Sequence, residues 1–205
     1  MMTFPAVQGI VKSALAAVIA EEYDLFMLGA GERAVVHQLA VYLRGLIGSE
    51  YDVDAEYDRQ GINREQKLLP PPTKGIPDVV VHQRGQGGPE ANLLVVEAKR
   101  QWHGAHGTDD DVRKIRAALR RFGYQFGVVL ELGTTLERLS PRWSWWTWDV
   151  ASVISGAAAR GPVSVHPTLT GQATAVFSPS ELAELEGTGR KHWASKGRPQ
   201  VADWQ

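Results

Sequence analysis

The chain has 205 residues, 43% of them hydrophobic, with a formal net charge of −1 and no cysteine. Its length fits one sizeable core better than two. The charge excludes a uniformly basic nucleic-acid coat but permits a local basic patch, and the lack of cysteine excludes disulfides and thiolate metal sites. The apolar runs fall short of the roughly 18 to 20 residues that cross a bilayer. Residues 10 to 20 are apolar, but Glu21-Glu22 follows and no basic leader precedes them, so a cytoplasmic location without a membrane partner is expected.

Val11, Leu15, Val18 and Ile19 stand at helical spacing within residues 6 to 28, which predicts a helix. Residues 1 to 30 are read as a peripheral N-terminal element. Gly29-Ala30-Gly31 breaks the chain, and Glu32 opens a second predicted helix whose stripe is Val36, Leu39, Leu43 and Leu46 or Ile47. Glu32 lies four residues before Val36 and so extends the core-facing stripe. It either complements the helix dipole or faces a site.

Tyr51 to Tyr57 alternates apolar and acidic residues, as a strand with one wet face does, and its acids are expected to be solvated. Residues 58 to 75 read as irregular, because Pro70-Pro71-Pro72 cannot sit in a central strand. Arg59, Arg64, Lys67 and Lys74 charge this stretch, which is either an ordinary loop or the lip of a substrate site.

Ile76 to His82 and Asn92 to Lys99 read as buried strands, with Gly87-Gly88-Pro89 turning the chain between them. In a hairpin centred there, antiparallel partners have numbers adding to 175, so Asp78 falls opposite Glu97. Glu97 and Lys99 are two apart in a strand and share a face, so two carboxylates and an ammonium meet at one spot. Charges at the ends of apolar strands are costly unless paired. An ion-paired cluster, with Lys99 bridging Asp78 and Glu97, satisfies that requirement without any chemistry.

Arg100 to Gly107 looks too rich in glycine for a helix. Thr108 is then read as the cap of a helix in which Asp111 completes a capping box, Val112, Ile115, Leu119 and Phe122 form the buried stripe, and the basic residues occupy the rest of the surface. Gly123 ends it, and Tyr124 to Glu131 returns as a buried strand parallel to its predecessor. Trp143 to Trp148 holds four of the seven tryptophans and predicts a strand with Trp146 and Trp148 on one face and Trp143 and Trp145 on the other. Ala173 to Phe177 is a further short strand, and Ser178-Pro179-Ser180-Glu181 opens a helix by a capping box.

Pro77-Asp78, an interval of 18 residues, then Glu97-Ala98-Lys99 resembles the PD-(D/E)XK signature of the restriction-endonuclease-like phosphodiesterase superfamily. A helix carrying a glutamate, the two strands, a helix and a further strand follow in the family's order across roughly residues 31 to 131. The resemblance implies an α/β fold, a three-layer α/β/α sandwich around a central mixed β-sheet. Length suggests one domain over residues 1–188, and the polar end, with Lys191, Lys196 and Arg198, reads as a mobile tail over 189–205. The resemblance also implies a nuclease that hydrolyses phosphodiester bonds, of DNA in preference to RNA, in prokaryotic defence, repair or mobile-element biology. Mg²⁺ or Mn²⁺ would be held by Asp78, Glu97 and the carbonyl of Ala98. Lys99 would act on the attacking water or the phosphorus oxygens, and Glu32 would reach a metal-bound water. Arg100, Trp102 and His103, just past the second strand, would then meet a phosphate or an unstacked base, together with Lys67 and Lys74. Two other classes stay open: a nucleic-acid-binding protein that does not cleave, and an interaction or inhibitor protein that meets a partner, or a second copy of itself, through the tryptophan strand.

Overall fold

Runs of β-branched residues form the centre of a mixed sheet, and amphipathic helices cover both of its faces. The computed structural model describes residues 2–60, 65–66, 76–99, 104–133, 139–148, 167–169 and 174–197. In chain order the elements are α1 (Phe4–Glu21), α2 (Tyr23–Met27), α3 (Glu32–Ile47), β1 (Asp52–Ala55), β2 (Arg59–Gln60), β3 (Glu65–Gln66), β4 (Val79–His82) and β5 (Asn92–Lys99). There follow α4 (Gly104–Phe122), β6 (Phe126–Glu131), β7 (Arg142–Trp148), β8 (Pro167–Leu169), β9 (Thr174–Ala175) and α5 (Pro179–Ser195).

The sheet runs in the order β1-β4-β5-β6-β7-β8, and β9 also pairs with β7. The β5–β6 pairing is parallel, with α4 as the crossover, and the other pairings are antiparallel. The hairpin register is the expected one: Val79 pairs with Val96, Val80 with Val95 and Val81 with Leu94, before an irregularity at Val81/His82 shifts the ladder. β2 and β3 form a separate two-stranded ribbon within the stretch read as irregular.

Alternation along the strands sorts the core into two parts. Val79, Val81, Leu94 and Val96 pack with α1 and α3, whereas Val80, Val95 and Val129 pack with Ile115, Ala118 and Leu119 of α4. The tryptophan strand divides as expected, Trp143 and Trp145 to the first part and Trp146 and Trp148 to the second, with Trp145 and Trp146 both buried.

Four expectations are corrected. The N-terminal helix is not peripheral: Val7, Val11, Ala14, Leu15, Val18 and Ile19 of α1 are fully buried. α1 also has the length and mean hydropathy, 1.3, to cross a membrane, but here that apolar face is part of the core. α4 begins at Gly104, so Thr108 is not its cap, and Asp111 is an interior residue of the helix. The acids of β1 are not simply solvated, because Arg84 pairs with both Asp52 and Asp54. Finally, α5 runs past residue 188 to Ser195, and Trp193 is buried. Its start is as expected: Ser178 accepts from the Glu181 N–H, the Glu181 carboxylate accepts from the Ser178 N–H, and a proline stands in the first turn.

Candidate active site

The end of the β4–β5 ladder carries the charges. Asp78 directly precedes β4, and its backbone is held by the Glu56 N–H donating to its carbonyl at 3.0 Å. Its carboxylate turns the other way and accepts from the Ala98 N–H at 2.7 Å. Asp78 is thereby locked against β5, one step beyond the Val79–Val96 pair and opposite Glu97. Glu97 and Lys99 follow Val95 on the face that α4 covers.

Two α4 residues complete the cluster: Asp111, which the sequence suggests as a capping residue, and Lys114, which it suggests as part of the basic helix surface. Lys114 Nζ lies 2.7 Å from Glu97 Oε2 and 3.7 Å from Asp111 Oδ1. Lys99 Nζ lies 3.6 Å from Asp111 Oδ1 and 3.7 Å from Glu32 Oε1. Lys99 thus joins the start of α3 to α4 across the end of the sheet, so Glu32 does belong to the cluster. The sequence signal for Asp111 was present: it stands four residues before Ile115 and extends the buried stripe Ile115, Ala118, Leu119, Phe122 by one turn, as a charge in an apolar row.

Burial dominates the electrostatics. Glu97 is 0% exposed, and burial, followed by the neighbouring Asp78 carboxylate, pushes its pKa up to about 8 despite Lys114. Burial also raises Asp78 and Asp111, against the opposing pull of the Ala98 N–H on the first and of Lys99 and Lys114 on the second. For both lysines burial works against the charge, but the facing carboxylates outweigh it and hold their pKa values above the usual one, Asp111 and Glu32 acting chiefly on Lys99 and Glu97 on Lys114.

Glu32, Asp78, Glu97 and Asp111 therefore face Lys99 and Lys114, four carboxyls against two ammoniums. Glu97 Oε1 and Asp111 Oδ2 are buried with no hydrogen-bond partner. An excess of acid with orphaned oxygens is a setting in which a hard cation lowers the free energy. Among the described residues no group of three or more His, Asp or Glu side chains converges as a ready metal cage. Mg²⁺ does not require one, since it binds through one or two carboxylates and keeps several waters.

Asp78 and Glu32 border an open groove of about 480 Å³, lined also by Arg33, Val36, His37, Ala55, Glu56 and Ile76. Glu97 is fully buried and does not line it, and its Oε2 is held by Lys114 at 2.7 Å. Lys67, Lys74, Arg100, Trp102 and His103, expected at this rim, lie outside the described residues. No family model matches this chain, and no curated protein matches it either.

Proposed function

We infer that the chain is a metal-dependent phosphodiesterase acting on nucleic acid, DNA in preference to RNA, on a restriction-endonuclease-like three-layer sandwich. The observation that carries this reading is the convergence of Asp78, Glu97 and Lys99 at one end of two paired strands, beside an open groove that Glu32 also lines. Helices on both faces of a mixed sheet support the fold reading.

Asp78 and Glu97 would hold Mg²⁺ or Mn²⁺, with the Ala98 carbonyl added by resemblance to the family. When bound, such an ion supplies hydroxide near neutral pH and absorbs charge on the phosphoryl oxygens. The remaining work belongs to the chain. The ammonium of Lys99, a third exposed and tethered between Glu32 and Asp111, is placed to orient a water and to meet negative charge on phosphorus oxygens. Lys114 donates to Glu97 at 2.7 Å, which favours the ionised carboxylate against burial and keeps it in place.

The test is incubation with supercoiled, linear, single-stranded and branched nucleic acids in Mg²⁺, Mn²⁺ or EDTA. Cleavage that requires the metal is expected, lowered about 10²- to 10⁴-fold by Lys99→Ala and abolished by Asp78→Ala, with both variants retaining the wild-type circular dichroism spectrum. Equal cutting by wild type and variants, or no cutting on any substrate, overturns the reading. One observation favours a second reading, a nucleic-acid-binding protein that does not cleave: Lys114 already occupies one oxygen of Glu97. Metal-independent binding without hydrolysis would establish it.

A further inference from the structure

The opposite end of the same sheet holds a second cavity, of about 260 Å³, between the β4–β5 turn and the end of α4. Its lining contains Arg59, Arg120 and Arg121 with Tyr57 and His82 and, among the described residues, no carboxylate. We propose that this cavity binds a phosphate group, with the three arginines as its ligands.

The walls are fixed before any ligand arrives. Gly123, at φ 74°, brings the end of α4 so close to the turn that a Cβ there would lie 3.1 Å from the Pro89 nitrogen. The Asn92 side chain donates to the Phe122 carbonyl at 2.6 Å, and the Gln125 side chain donates to the Pro89 carbonyl at 2.7 Å. Gly85 and Gly88 bend the turn at φ 77° and 90°, conformations that a side chain would strain. Across the cavity, His82 is held by Asp54 at 3.0 Å and packs its ring against Tyr57 at 4.5 Å.

The helix dipole accounts for arginines at the end of α4 but not for Arg59, which comes from β2 and lines the same space. Arg59 pairs at its surface with Asp58, 3.1 Å away, a carboxylate that does not line the cavity. At this volume the cavity falls below the roughly 300 to 1,000 Å³ of drug-sized apolar sites, which suits a small anion. Guanidinium forks match phosphate oxygens two at a time. The identity of the ligand as a nucleic-acid strand rests on the phosphodiesterase reading, whereas its phosphate chemistry does not. On that reading one strand is cut at the Asp78 end of the sheet and gripped at the arginine end.

The experiment is fluorescence anisotropy in EDTA with labelled single-stranded and duplex oligonucleotides over a salt series, and with a nucleoside monophosphate as competitor. The proteins are wild type and the triple variants Arg59→Ala/Arg120→Ala/Arg121→Ala and Arg59→Lys/Arg120→Lys/Arg121→Lys. The alanine triple is expected to weaken oligonucleotide binding at least about tenfold and to reduce the slope of log affinity against log salt by about 1 per arginine. The lysine triple should recover part of both, because it restores charge without the fork. Competition by the monophosphate that the alanine triple also loses identifies a discrete phosphate site. Oligonucleotide binding alone, lost in the same variant, identifies a backbone contact, and both outcomes support the proposal. Wild-type affinity in the alanine triple, or no binding of either ligand by wild type, overturns it. Since no metal is present, the outcome is independent of whether the chain cleaves.

Discussion

Glu97 is surrounded by protein; burial and the Asp78 carboxylate favour its neutral form, and Lys114 is the group that opposes them and favours its charge. Removing one partner of a buried pair leaves an uncompensated charge and costs about 3 to 5 kcal/mol. Lys114→Ala should therefore destabilise the metal-free protein by about that amount in urea unfolding. Lys114→Met combined with Glu97→Gln should recover most of the loss, because neither residue is then a stranded ion. In Lys114→Ala, Mg²⁺ should raise the unfolding midpoint more than it does in wild type, since no ammonium then competes for the carboxylate. Unchanged stability in the single variant would mean that the 2.7 Å contact contributes nothing. Asp78, Glu97 and Lys99 could be placed together from the sequence because a two-residue alternation and a glycine turn determine register. Lys114 could not, because which residue of an amphipathic helix lies over the end of a sheet depends on how far along the strands the helix docks.

At the scale of elements, the seating of α4 on the sheet determines where Asp111 and Lys114 stand, and Gly127 of β6 permits that seating. A Cβ at Gly127 would lie 2.4 Å from Ile115 Cγ2 and 2.8 Å from Leu119 Cδ1. Gly127→Ala should cost about 1 to 3 kcal/mol by overpacking. It should also lower cleavage by lifting α4, although it alters no charged group. Thermal melts and cleavage rates on one preparation check both.

The start of α5 gives a pH prediction. The Lys12 ammonium, then the Ser178 backbone and side chain, hold the Glu181 pKa down at about 2 from its ordinary 4.5. A depressed carboxyl pKa contributes stability that is complete above about 4.5 and lost as pH falls through about 2. The melting-temperature gap between wild type and Glu181→Gln should therefore be widest above pH 5 and close by pH 2. That capping box was legible because Ser, Pro and Glu at fixed offsets satisfy backbone groups locally. The first turn of α4 was not, because Gly104 and Gly107 argue locally against a helix.

For the whole molecule, the question is whether α1 is an appendage to the fold or part of what makes it possible. Its apolar residues at helical spacing were readable, but their partners were not, since nothing local to residues 4–21 indicates that α3 and α5 close over them. In the structure Val7, Val11, Leu15, Val18 and Ile19 are all 0% exposed, and Phe4 packs its ring against Phe126 and Trp145 at 5.6 and 5.3 Å. Each fully buried aliphatic side chain contributes about 1.5 to 3 kcal/mol, so the five together contribute on the order of 10 kcal/mol. That sum equals the whole net stability of an ordinary domain, about 5 to 15 kcal/mol. A chain starting at Gly31 should therefore show no cooperative unfolding transition by circular dichroism and should aggregate as the uncovered faces of α3 and α5 meet. Leu15→Ala in the full chain should cost about 2 to 5 kcal/mol and retain cooperativity. A sharp melt from the truncated chain would mean that the sheet, α3, α4 and α5 form a sufficient core alone, and would return α1 to the periphery where its sequence first suggested it belonged.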